Sequence, residues 1–178
     1  STSTDNSVAY TTALTVTINQ AAGQNDPVNA FPLSFTVVFN AAIDPVTFTS
    51  VDITQTGTAT GITWSAPSTS DNITWTVTAT AGGQGTYRPT IAAGAVKDLA
   101  LRNNDASTST DNTVTYETVK PNVTVNQAVG QTDPVNANPV NFTVVFSEAI
   151  NPATFDATDI TNNGTATVNW AAPSTSDN

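Results

Sequence analysis

The chain contains no cysteine and no histidine. Without cysteine there is no disulfide framework, no thiolate zinc site and no thiol from which to read a redox compartment. Without histidine, imidazole acid–base chemistry and histidine-ligated metals are excluded as well. Charge is scarce: four Lys and Arg stand against 14 Asp and Glu, a net charge of −10, and charged residues fill only 10% of the 178 positions. That balance lacks the basic footprint of a nucleic-acid binder or of a protein drawn to anionic membranes. Apolar runs extend over a few residues at most, too short to span a bilayer. What is abundant is Thr, Ser and Asn, which keep a surface polar without charging it. This composition suits an extracellular or cell-surface location.

The chain repeats itself. Ser1-Thr-Ser-Thr-Asp-Asn6 returns as Ser107-Thr-Ser-Thr-Asp-Asn112, and Ala66-Pro-Ser-Thr-Ser-Asp-Asn72 as Ala172-Pro-Ser-Thr-Ser-Asp-Asn178, both at an offset of 106. Between these anchors, the segment from Asn19 to Ala30 matches that from Asn126 to Ala137 at an offset of 107. A period of that size means whole domains in tandem rather than a solenoid of small units. The frame predicts that residues 1–12 are the last strand of a preceding module, 13–117 a complete module, 118–122 a linker and 123–178 the front part of a following module. Strand exchange that would complete this third module fails on counting. The tail offers one strand, whereas everything matching residues 73–117 is missing.

Alternation of period two marks the strands. Leu33, Phe35, Val37 and Phe39 point one way, and the copy keeps this face as Val140, Phe142, Val144 and Phe146. Ile73, Trp75 and Val77 alternate likewise, and shorter strands are expected at 14–18, 48–53, 58–64, 86–91 and 113–116. Turn signals separate them at Asp26-Pro27, Asp44-Pro45, Gly82-Gly83 and Asn103-Asn104. No stretch of a dozen residues has helical periodicity, and β-branched residues dominate, so the module is all-β. About seven antiparallel strands in roughly a hundred residues is the count of an immunoglobulin-like β-sandwich. Phe48 and Trp64 recur as Phe155 and Trp170, and with Trp75 they share the inward parity. They are therefore read as core rather than as a platform for stacking sugars.

The segments 23–53, 97–116 and 130–160 include Asp133-Pro-Val-Asn136, Phe142-Thr-Val-Val-Phe-Ser-Glu-Ala-Ile150 and Ser107-Thr-Ser-Thr-Asp-Asn-Thr-Val-Thr-Tyr116. In them the chain resembles the bacterial Ig-like repeat domains of large surface and extracellular proteins. The resemblance implies modules that act as spacers in adhesin stalks, cell-wall proteins or secreted polymers, often rigidified by calcium. Two departures stand out. The Ser-Glu of this family is present as Ser147-Glu148 but replaced by Asn40-Ala41 in the earlier module. The loop that commonly reads Asp-x-Ala-Gly-Asn-x-Asn is Asp98-Leu-Ala-Leu-Arg-Asn-Asn104 here, with Leu101 for the Gly and Arg102 for the Asn.

Calcium takes six to eight oxygens, mostly from carboxylates, Asn side chains and carbonyls. The candidate ligands are Asp26, Asp98, Asn104, Asp105, Asp133 and Glu148, with Asp26 of one module expected to approach Glu148 of the next. Asp-Pro and Asn-rich loops are also ordinary turn chemistry. Lys97 and Lys120 lie on no apolar strand face, which argues against a Lys–Asn cross-link. Asn72, Asn122, Asn141 and Asn163 open Asn-x-Thr sequons of the kind a Thr-rich chain produces by chance.

The expected function is structural and not enzymatic: an extracellular rod, filament or surface layer built by end-to-end or lateral self-association, with calcium as its stiffening ion. The alternative is the stalk of a surface adhesin whose ligand-binding part lies outside this chain. Cell-surface or matrix components are further candidate partners.

Overall fold

A computed structural model describes residues 12–175 of the chain, which divides into two compact units, Ser1–Thr118 and Val119–Asn178. The expected strand at residues 1–12 lies outside the described residues except for Thr12. The protein is all-β, and its only helical elements among the described residues are four single turns of 3-10 helix. None of these is long and apolar enough to cross a membrane.

In unit 1, β1 (Val16–Gln20) and β2 (Leu33–Phe39) pair antiparallel, with Val16 opposite Phe39 and Gln20 opposite Phe35. The order continues through three short strands, β3 (Ile53–Gln55), β4 (Thr63–Trp64) and β5 (Ser68–Thr69), to β6 (Thr74–Ala81). β6 adds antiparallel to the free side of β2, Leu33 facing Ala79 and Val37 facing Trp75, and β4 and β5 pair with β6 in turn. This gives a five-stranded sheet. Two smaller ladders complete the unit: β3 with β8 (Pro89–Ile91), and β7 (Gly85–Tyr87) with β9 (Val114–Tyr116).

The period-two pattern of β2 becomes burial directly. Leu33, Phe35, Val37 and Phe39 are buried on the core face while Val38 is exposed between them. They share one core with Val16 and Ile18 of β1, Trp75 and Val77 of β6, Ile53 of β3, Tyr87 of β7, Ile91 of β8 and Val114 of β9. The small ladders thus lie against the apolar face of the large sheet in a sandwich-like arrangement. Each fully buried side chain of this kind contributes about 1.5–3 kcal/mol. Phe48 and Trp75 are buried and meet edge to face at 5.3 Å, as the inward parity requires. Trp64 is half-buried at the core margin, its ring 5.9 Å from that of Phe35.

Three expected strands are different in the structure. Residues 48–53 are not a strand: they hold a 3-10 turn at Ser50–Asp52 that follows another at Pro45–Thr47, and β3 starts only at Ile53. Local side-chain bonds outcompete the ladder here. The Asp44 carboxylate accepts from the Val46 N–H at 3.2 Å, and the Asp52 carboxylate from the Thr49 N–H at 2.8 Å. The second copy repeats this with turns at Pro152–Thr154 and Ala157–Asp159. Residues 58–64 shrink to the two of β4, because Gly61 takes a left-handed conformation at φ 65° just before it. Residues 86–91 are split at Arg88, where the chain leaves β9 and turns to β3. The outcome is nine short strands among the described residues of unit 1, where about seven were expected.

One glycine is required by contact. A Cβ on Gly82 would run into the hydroxyl of Tyr87, which donates to the Gly83 carbonyl at 2.9 Å.

Unit 2 repeats the opening hairpin. β10 (Val123–Gln127) pairs with β11 (Phe142–Phe146), Val123 opposite Phe146 and Gln127 opposite Phe142, the register of β1 and β2 shifted by one repeat.

A graded cost is expected from the two tryptophans. Trp75→Ala should destabilise unit 1 by about 3–5 kcal/mol through a core cavity. Trp64→Ala should cost clearly less because its ring is only partly buried at the core margin, and urea unfolding of the two variants measures the difference.

Candidate functional site

The loop from Val96 to Asp105 holds three of the six candidate calcium ligands. Asp98 is 2% exposed and Asn104 3% exposed, two of the three buried polar residues among the described positions, while Asp105 is exposed. A buried carboxylate is costly unless it is paired and hydrogen-bonded. Asp98 is both. The Arg102 guanidinium meets Oδ2 through Nε and through a second nitrogen, each at 2.6 Å. Oδ1 accepts from the backbone N–H groups of Ala100 and Arg102, both at 2.9 Å. The remaining guanidinium nitrogen donates to the Thr12 carbonyl at 2.7 Å, so the same cation ties the loop to the chain leading into β1.

Asn104 is satisfied at both ends. Its Oδ1 accepts from the Val96 N–H at 2.8 Å, and its Nδ2 donates to the carbonyls of Ala92 and Asp105 at 2.9 and 2.7 Å. Neither residue directs oxygens at a common point. The Arg102 guanidinium takes up Oδ2 of Asp98 and two backbone N–H groups take up Oδ1, so this loop does not fit calcium. The arginine already supplies the positive charge, and the departure Arg102 was visible in the sequence.

The other candidates are divided between the two units. Asp26 is exposed in unit 1, and its Oδ1 accepts from the Thr115 N–H at 2.8 Å, fastening the β1–β2 connection to β9. Asp133 and Glu148 are exposed in unit 2. Among the described residues no group of three or more acidic side chains converges on one point. A polar hollow of about 610 Å³ lies beside Arg88, Ser107, Thr110 and Asp111, and its lining includes no aromatic ring on which a sugar would stack.

Sequence reasoning missed one centre, Asn19. Its Oδ1 accepts from the N–H groups of Thr110 and Asp111, both at 3.0 Å, and from the hydroxyls of Ser109 and Thr110 at 3.0 and 3.3 Å. Next to it the Gln20 amide donates to the Asp111 carboxylate at 3.0 Å. The backbone follows in parallel: Ile18 N–H to the Thr108 carbonyl at 3.0 Å, Thr108 N–H to that of Val16 at 3.0 Å, and Gln20 N–H to that of Asp111 at 2.7 Å. The Ser-Thr-Asp segment is thereby clamped along the outer edge of β1. The available signal was the unchanged recurrence of Asn-Gln at 126–127 and of Ser-Thr-Asp at 3–5.

Comparison of the chain with protein-family models, with curated proteins and with solved structures found no match.

Two outcomes test the loop. Leu101 sits at φ 62°, where a side chain is strained, and is 72% exposed. Leu101→Gly should therefore stabilise the unit by about 1 kcal/mol, the strain relieved being only partly offset by glycine's greater unfolded freedom. Thermal unfolding reads the gain. The second outcome concerns acid. The Arg102 N–H bond, with the Arg102 side chain and the Ala100 N–H behind it, holds the Asp98 carboxyl below the usual 3.8 against the opposing effect of burial. A depressed folded pKa stabilises the protein above the unfolded value and is lost as pH falls through the folded one. Stability should therefore decline as pH falls from about 3.8, and less steeply in Asp98→Asn, measured by urea midpoints at successive pH values.

Proposed function

We propose that this protein is a non-enzymatic extracellular structural protein. In this reading it is a tandem series of immunoglobulin-like modules that associates with copies of itself, end to end or laterally, into a rod, filament or surface layer. The observation that carries the reading is the repetition of one hairpin in one register. Val16 opposite Phe39 and Val123 opposite Phe146 are the same pair, one module apart. A chain that invests its sequence in copies of one β unit, with Thr, Ser and Asn outside, gains spacing and surface rather than a single reactive cleft.

Edges support association. β10 and β11 form a two-stranded sheet, and 10% charge leaves few of the charged residues that block edge-to-edge pairing. The net charge of −10 opposes the approach of copies and makes a divalent cation a fitting partner for assembly. With Arg102 seated on Asp98, the calcium part of the reading rests on Asp26, Asp133 and Glu148.

Electron microscopy of the protein in calcium and then in a chelator tests this. Ordered filaments or sheets that loosen on chelation are the expected result. Isolated strings in both conditions would move the reading to an adhesin stalk, with recognition carried by residues beyond this chain. Asp26→Ala and Asp133→Ala should weaken the calcium response while leaving the urea midpoint of unit 1 within about 1 kcal/mol of the parent, the scale of one hydrogen bond.

A further inference from the structure

The polar hollow of about 610 Å³ lies in unit 1, where the end of the β3–β8 ladder meets the segment 107–113. Its size suits a ligand of one or two sugar units. The frame is fastened by bonds within the unit. Ser107 exchanges two with Ile91: its N–H donates to the Ile91 carbonyl and its Oγ accepts from the Ile91 N–H, both at 2.9 Å. The N–H and the hydroxyl of Thr56 both donate to the Arg88 carbonyl at 3.0 Å, and the Arg88 N–H donates to the Gln55 side chain at 2.8 Å. Asn19 holds Ser109, Thr110 and Asp111 from behind the segment. A lining set in advance spares a ligand the cost of ordering it.

The fold does not use all the polar groups of this lining. The backbone of Arg88 is held, but its guanidinium has no hydrogen bond or ion pair among the described residues, where the one ion pair joins Arg102 to Asp98. The Ser107 hydroxyl accepts a bond but donates to no described residue, and the Thr113 hydroxyl has no partner among them. Asn112 is 7% exposed; its Nδ2 donates to the Pro89 carbonyl at 2.8 Å, while its Oδ1 accepts from no described residue. A side chain buried to that degree calls for a donor at its second polar atom. Asp111 gives Oδ2 to the Gln20 amide at 3.0 Å and has Oδ1 to spare. One hollow thus combines a full positive charge, two hydroxyl donors and two oxygen acceptors.

We propose that this hollow binds an acidic saccharide, a sugar carrying a carboxylate, with the carboxylate on Arg88 and the sugar hydroxyls on Ser107, Asp111, Asn112 and Thr113. A guanidinium matches a carboxylate through two parallel bonds. Hydroxyls both donate and accept, so one ring of them serves the Asn112 and Asp111 oxygens and the Ser and Thr hydroxyls together. A neutral sugar has no charge to offer Arg88 and finds no aromatic ring to stack on. Phosphate or sulfate brings acceptors almost alone, which leaves Asn112 without its donor, and places more negative charge beside Asp111 in a chain of net charge −10. The site goes beyond the self-associating structural reading above and does not rest on it, because every group it uses lies within unit 1.

Amide NMR of the isotope-labelled full chain, titrated separately with sodium galacturonate, galactose and sodium acetate, tests the site. Galacturonate should shift the resonances of Arg88 and of residues 107–113 and saturate with a Kd of about 1–10 mM, the range of a small ligand in an open site. Galactose, which lacks the carboxylate, and acetate, which lacks the hydroxyls, should each bind about tenfold more weakly or worse, one charge-assisted or several neutral hydrogen bonds being lost. Arg88→Gln should weaken galacturonate about tenfold as well. Its urea midpoint should stay at the parent value, since the guanidinium holds nothing in the fold. Lys97→Gln removes the same charge from an exposed position outside the hollow and should leave binding unchanged. The proposal is overturned by the absence of saturable shifts at these residues, by galactose or acetate binding as tightly as galacturonate, or by an Arg88→Gln chain that binds like the parent. Tighter binding of a blocked peptide of three glutamates would assign the hollow to a protein carboxylate and overturn the saccharide.

Discussion

The structure depends on covering the apolar face and outer edge of one hairpin. β1 and β2 bring Val16, Ile18, Leu33, Phe35, Val37 and Phe39 onto a single surface, and a two-stranded ribbon has no inside in which to bury them. The cover comes from far along the chain. β6 extends the sheet beside β2, while β7, β8, β9 and the segment before β9 close over the face and over the edge of β1. Unit 2 has the same hairpin in the same register, yet Val140 and Phe142 are 40% and 48% exposed where Leu33 and Phe35 are fully buried. Hairpin geometry is local; its stabilisation is not. Loop closure over dozens of residues has to be met before those contacts return any free energy.

The polar devices follow from the same constraint. A segment that crosses back along the edge of β1 brings its own backbone groups against the sheet, where they need partners. Asn19 supplies them for the N–H groups of Thr110 and Asp111, Asn104 for the chain at Val96 and Ala92, and Asn112 for the Pro89 carbonyl at 2.8 Å. Asp71 does the same at the turn into β6, accepting from the N–H groups of Ile73 and Thr74, and the Thr74 bond is the main cause of its lowered pKa. The abundance of Asn and Thr is thus a requirement of stitching short strands together as much as a surface property.

Legibility in the sequence tracks how local each signal is. The alternation in β2 and β6 stood out because the pleat sorts every second side chain, and the repeat fixed which segments correspond. Residues 48–53 misled because Phe48, Val51 and Ile53 imitate a strand, while the Asp44 and Asp52 carboxylates bend the backbone into turns. Trp64 had inward parity but lies next to a register shift in a two-residue strand, which leaves its ring at the margin. The Asn19 clamp was invisible for another reason: a hydrogen-bonding hub 90 residues from its partner leaves no periodic trace.

The loop at Asp98 shows how a buried carboxylate is neutralised from within the chain. A carboxylate buried beneath a β connection requires a cation, and an ion from solution and a guanidinium from the chain are two ways to provide it. The guanidinium has to reach back four residues, and the chain does so by turning through Leu101 in a left-handed conformation that glycine would adopt without strain. The strain is tolerated because the same arginine also holds the Thr12 carbonyl, so a single side chain neutralises the loop and anchors the approach to β1. A loop built this way is held closed by a cation of its own chain.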